Sequence, residues 1–187
     1  MIRHRQNSVD GSSQFILPFA EKEYVTVRRT GRILGVSDNT VYRVAGLRGR
    51  DDRPLLNLVN YRKNSRHRVL YSSIVRFCDG LRQSYGIPDR RPTLSNPIFR
   101  HKDEDLLPFR LSDTMYSAEA LAALGYESRS ILLHLIEEGR FEAYRIMPTR
   151  GTEWRISRPS FRLFLDQTRD RDKQPKRSIM LEGALNG

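Results

Sequence analysis

One order of elements is written into this sequence twice, and nothing else constrains the fold as tightly. A helix closed by glycine, a turn, a second helix, a hairpin and a third helix recur about ninety residues apart. The first copy centres on Thr26 to Val44, TVRRTGRILGVSDNTVYRV. Thr26 suits a helix N-cap, and Val27, Thr30 and Leu34 recur at helical spacing to give one inward stripe. Gly35 tolerates positive φ and ends that helix, so Gly35-Val36-Ser37 reads as a turn with Ser37 capping a second helix. Asp38 in the first turn complements the helix dipole. In the second helix Val41, Val44 and Ala45 face inward, leaving Asn39, Thr40, Tyr42 and Arg43 outward. Such a polar face is what base-edge reading in a major groove requires, although an ordinary helical hairpin with a solvated face has the same pattern.

After Gly46 comes a charged loop, LRGRDDRP. The runs LLNLVNY (55–61) and HRVLY (67–71) then flank a polar turn and predict a β-hairpin. Arg62, Lys63, Arg66 and Arg68 crowd its tip, where they would meet phosphates or a minor groove; a charged edge that discourages strand pairing is the plainer alternative. Ser72 is expected to cap a helix over 73–85 whose stripe, Ile74, Phe77, Cys78 and Leu81, packs beneath the hairpin. In the second copy Ser117 is expected to cap a helix with Leu121 and Leu124, ended by Gly125. A turn then leads to Ser128 and a helix through Glu138, closed by Gly139. Strands near FEAYRIM and EWRIS follow, and Pro159 opens a helix carrying Phe161, Phe164 and Leu165.

Charge narrows the partner. Thirty-three Lys and Arg against twenty-two Asp and Glu give +11 and a pI near 10.3, which implies an anionic partner. No apolar run approaches membrane-spanning length, so nucleic acid is expected rather than lipid. Residues 1–90 carry 17 basic and 8 acidic side chains and residues 91–187 carry 16 and 14, so net charge falls from +9 to +2. Residues 1–14 lack the apolar centre of a signal peptide, which makes the cytoplasm the expected location. The one cysteine, Cys78, excludes an internal disulfide and lies on an apolar stripe as a core thiol. No phosphate loop, paired metal ligands or activated nucleophile is visible, so no enzyme and no cofactor are expected; His101 beside acidic residues has no second histidine at ligand spacing.

SAEALAALGYESRSILLHLIEEGRFEAYRI with WRISRPSFRLFL resembles the excisionase and MerR-type winged helix-turn-helix family, and TVRRTGRILGVSDNTVYRV is similar to the same helix pair. The tandem arrangement also resembles Euo-type developmental repressors. The resemblance implies a mainly α fold with small β-hairpin wings, in two tandem winged helix-turn-helix domains at 21–86 and 111–168. It leaves a tail at 1–20, a linker at 87–110 and a tail at 169–187. It implies double-stranded DNA as the partner, with homodimeric or cooperative assembly on DNA open, and contacts from Arg28, Ser37, Asn39, Thr40, Tyr42 and Arg43 with wing contacts from Arg62, Lys63, Arg66 and Arg68. For the second copy it implies Ser128, Arg129, Ser130 and His134 in the helix and Arg145, Arg150 and Arg155 around the wing. Two departures stand out: the long link LRGRDDRPLLNL, and Ile131 and Leu133 where polar residues are expected. A transcriptional repressor is the function these features imply, with a DNA-bending recombination directionality factor that recruits an integrase as the alternative. A third reading gives the second copy to protein interaction.

Overall fold

The computed structural model describes residues 23–60, 66–91, 101–125, 128–147 and 153–173. The chain divides into two compact units after Leu111. The first holds β1 (Tyr24–Thr26), α1 (Val27–Leu34), α2 (Asp38–Ala45), β2 (Leu58–Val59), β3 (Arg68–Leu70) and α3 (Tyr71–Ser84). The second repeats that order as β4 (Thr114–Tyr116), α4 (Ser117–Leu124), α5 (Arg129–Glu137), β5 (Ala143–Tyr144), β6 (Arg155–Ser157) and α6 (Arg158–Lys173). Each unit carries a three-stranded antiparallel sheet, ordered β1-β3-β2 and β4-β6-β5. The class is therefore mixed α/β, which corrects the mainly α expectation. The added strands are β1 and β4, paired through Val25↔Val69 and Met115↔Ile156. Three residues cannot establish a period, and their partners lie about forty positions away.

Local chemistry sets the first helix pair. Thr26 Oγ1 accepts the Arg29 amide at 3.1 Å, and the buried Thr30 hydroxyl is satisfied by donating to Thr26 O at 3.1 Å. Gly35 ends α1 at φ 60°, and Ser37 Oγ accepts the Thr40 amide at 3.3 Å to cap α2. Gly31 is required by proximity: a Cβ there would lie 2.7 Å from Val36 O and 3.3 Å from Asp38 Oδ1, so α1 meets the following turn backbone to backbone. Val27, Leu34, Val41 and Val44 are buried in this unit, as are Val69, Ile74, Phe77, Cys78 and Leu81. Burying each larger side chain contributes about 1.5–3 kcal/mol relative to exposure.

Two caps differ from expectation. Helix α3 begins at Tyr71, before Ser72, because the Tyr71 amide is held by Glu23 O at 2.8 Å. Ser73 Oγ then donates to Leu70 O at 2.6 Å and accepts the Asn57 amide at 3.0 Å, fixing the first turn. Ser117 is likewise the first residue of α4 rather than its cap; Glu119 accepts the Tyr116 amide at 3.0 Å instead.

The expected linker 87–110 is also corrected over residues 101–110, which pack on the first unit. Leu106 and Leu107 are buried, and Asp103–Asp105 forms a 3-10 turn. Arg82, only 5% exposed, donates to Asp105 O at 3.0 Å and Leu107 O at 2.6 Å. Asp103 accepts from Arg29 Nε at 3.0 Å and from the Tyr71 hydroxyl at 3.3 Å. We call residues 101–108 the strap. At the other end, α6 continues to Lys173, into the region expected as tail. No helix among the described residues is long and apolar enough to cross a membrane.

Candidate functional site

Helix α2 turns Val41 and Val44 fully inward, so its remaining face is available. Asn39 and Arg43 are exposed, and Tyr42 is 41% exposed. Thr40 is half-buried, and its hydroxyl sits 3.0 Å from Ser37 Oγ; both side chains are therefore engaged in the cap, and their freedom to contact anything else is reduced. The Tyr42 ring meets His67 edge-on, with centroids 5.6 Å apart. This contact joins the outer face of α2 to the segment entering β3, where Arg66 and Arg68 are exposed on either side of His67. Arg62 and Lys63 lie outside the described residues.

The guanidinium groups sort into two sets. Arg29 is held by Asp103, Arg48 by Asp52, Arg53 by Asp51, and Arg76 by Pro54 O. Arg28, Arg32, Arg43, Arg50, Arg66 and Arg68 are exposed and make no side-chain hydrogen bond or ion pair among the described residues. A free exposed guanidinium is fully hydrated and exchanges water and counterions for phosphate oxygens at little cost. Two of these six, Arg32 and Arg50, are not among the residues that the sequence singles out. Arg32 was legible, since it lies one turn beyond Arg28 on α1; Arg50 was not, because its neighbours Arg48 and Arg53 look equally free until their partners are seen.

The second unit distributes its candidates differently. Arg129 is exposed and unpaired among the described residues, and the Ser128 and Ser130 hydroxyls bond each other at 2.6 Å. His134 Nε2 lies 3.1 Å from Glu138. Arg155 is corrected as a wing contact: it is 4% exposed, its guanidinium 5.8 Å from the Tyr144 ring centroid, with Nη1 donating to the Tyr144 hydroxyl at 3.4 Å. The register sets Tyr144 directly opposite Arg155. Arg145 is half-buried, its guanidinium over Trp154 at 4.6 Å. An arginine flanked by an aromatic across the strand stacks rather than projects. Arg150 lies outside the described residues. On α5 only Leu132 is buried, while Ile131 is 37% exposed.

A charged cluster closes α3. Burial, then Arg91, lowers the Arg82 pKa from its ordinary value, and a hydrogen bond from Arg91 holds the Asp89 carboxyl well below the usual range. His101 is pushed down by burial and then by Arg91, and its Nδ1 is buried with no hydrogen-bond partner among the described residues. Among the described residues no group of three or more His, Cys, Asp or Glu is placed to hold a metal ion. Comparison with protein-family models, curated proteins and solved structures found no match for this chain, so what the site does is argued from its own residues.

Proposed function

We propose that this protein binds double-stranded DNA sequence-specifically and represses transcription by occupying promoter sites. Each unit acts as a winged helix-turn-helix, with α2 entering the major groove and the β2–β3 hairpin serving as a wing on phosphates or minor groove. The observation that carries this reading is the contact between Tyr42 and His67, which unites a polar helix face bearing Asn39 and Arg43 with a hairpin strand bearing Arg66 and Arg68. A helix face with amide and guanidinium groups can read base edges, and adjacent free cations supply the phosphate contacts that fix register. The net charge of +11 adds long-range attraction. Footprinting with genomic fragments tests the proposal: protection at promoters is the expected result. Protection clustered at an attachment region would transfer the protein to recombination directionality, and no protection on any fragment would refute DNA reading altogether.

A further inference from the structure

The link between α2 and β2 is a small folded element of its own. Leu55 N donates to Leu47 O at 3.0 Å and Gly49 N to Arg53 O at 2.8 Å, with a bridge pairing Arg48 and Pro54. Asp52 N donates to Gly49 O at 3.1 Å, closing a turn with Arg50 and Asp51 at its centre. Asp52 sits at φ 58°, the one positive-φ residue other than glycine among the described residues. Such a conformation persists only where the surroundings hold it. They do so here: Arg48 Nη1 donates to Asp52 O at 2.7 Å, Leu56 is fully buried below the hairpin, and Arg76 on α3 donates to Pro54 O at 3.1 Å. The second unit has no counterpart, since α5 reaches β5 through Glu138 to Glu142 directly.

The charges in this hairpin are arranged to leave one cation. Asp51 accepts from its own loop at Arg53 N, 3.2 Å away, and pairs with the Arg53 guanidinium at 3.7 Å. Asp52 pairs with Arg48 at 3.8 Å. Arg50, at the tip, has no such partner among the described residues. It stands five residues beyond Ala45, the end of α2, so a fully extended chain would hold it no farther than about 18 Å away. A major groove is about 12 Å wide, so an arginine within that range can reach the phosphates that border it.

We infer that the 47–55 hairpin is a phosphate clamp, a rigid element that presents Arg50 to the DNA backbone beside the groove entered by α2. This rests on the DNA-binding reading above. The clamp adds affinity without adding sequence information, because a single guanidinium on a phosphate is indifferent to the base attached. The test uses the intact chain, wild type and with Arg50→Gln, Arg50→Glu or Arg50→Lys. Each is titrated by fluorescence anisotropy against the duplex giving the strongest footprint and against a random duplex of equal length. At 100 mM salt Arg50→Gln is expected to weaken both by the same factor, roughly five- to tenfold, and to lower the magnitude of the salt slope by about one. Arg50→Glu weakens both further, and Arg50→Lys retains most of the affinity. Wild-type affinity and slope in the Gln and Glu variants would overturn the clamp while leaving the DNA reading intact. Loss confined to the footprint duplex would make Arg50 a base reader and equally overturn it. Failure of the wild-type chain to bind either duplex would remove the parent reading. Arg50 is exposed, so all variants should keep the wild-type circular dichroism, and one that does not is replaced by its neighbour in the series.

Discussion

Replacing Arg82 by methionine removes the donors that hold the strap while keeping most of the aliphatic volume. Two charge-assisted hydrogen bonds disappear, to Asp105 O at 3.0 Å and Leu107 O at 2.6 Å, together with the bond to Asp79 at 3.1 Å. Asp79 keeps Arg91 at 2.9 Å, so the uncompensated partners are the two carbonyls. Hydrogen bonds to a charged donor contribute roughly 1.5–3 kcal/mol each. Methionine no longer has a charge to desolvate, which returns part of that loss, but a buried acceptor left without a donor costs about 1–3 kcal/mol. We expect a net loss near 3 kcal/mol for the first unit. With a urea dependence of about 1–2 kcal/mol per molar, the midpoint should fall by about 1.5–3 M. The protein provides its own control: the only tryptophan, Trp154, lies in the second unit. Circular dichroism of Arg82→Met should show an early transition that Trp154 fluorescence does not follow. A midpoint unchanged by either probe would refute the strap as a stabilising element, and equal shifts in both would refute its assignment to the first unit alone.

Four further outcomes follow from particular residues. Gly31→Ala should destabilise the first unit by about 1–2 kcal/mol in chemical denaturation, since overpacking against Val36 O outweighs the helix-propensity gain, whereas Gly80→Ala, with open space around its Cβ, should stabilise α3 by about 0.5–1 kcal/mol. His101 is held below its ordinary range in the folded state, so the unfolded chain takes the proton first; stability should drop as pH falls through about 6.5, and His101→Gln should flatten a denaturation series across that window. If the six free guanidiniums of the first unit all meet phosphates, log affinity should fall against log salt with a slope near −5, and a magnitude of about two or less would refute the electrostatic part of the proposal. Arg43→Ala should cost about 1–3 kcal/mol on the footprint duplex with little change on random DNA; equal losses on both would make Arg43 a phosphate contact.

What was legible in the sequence is what short-range chemistry determines. Thr26, Gly31, Gly35, Ser37 and Val41 act within a few residues of themselves, and of these only Gly31 hid its role, because its neighbour across the turn is a backbone carbonyl. The stripe of α3 was legible because its period is carried by side chains that all turn inward. Strands β1 and β4 were not, since each is defined by hydrogen bonds to a strand far along the chain. The strap was read as part of a linker because residues 86–109 hold four prolines and the mixed-charge patch HKDED. Its packing depends on one buried arginine twenty-three residues before Asp105, and no local pattern records that donor. Arg145 and Arg155 were expected around the wing because the family resemblance put them there, and a charged side chain usually faces water. Aromatic partners on neighbouring strand positions reverse that rule, and the register needed to see it comes only with the sheet.

The two units show how a repeated framework can keep its core and diverge on its surface. Val41 and Leu132 occupy the same place in α2 and α5, and both are wholly buried. One position earlier, Thr40 is engaged with a capping serine while Ile131 is exposed and apolar. The arginines diverge in the same direction. Arg145 and Arg155 stack on aromatic rings, Arg158 bonds Glu119 and Thr114 O, and Arg140 lies beside Glu138. Among the described residues, four arginines of the second unit are thus stacked or paired, whereas six guanidiniums of the first unit make no such contact. The net charges of the two units, +10 for residues 1–111 and +1 for residues 112–187, understate the difference, because a stacked or paired arginine counts in the sum and contributes little to counterion release. On the proposed reading, DNA affinity is therefore concentrated in the first unit. The exposed Ile131 suits α5 to a less polar contact than a base edge, since an apolar side chain in the major groove has only the thymine methyl to meet.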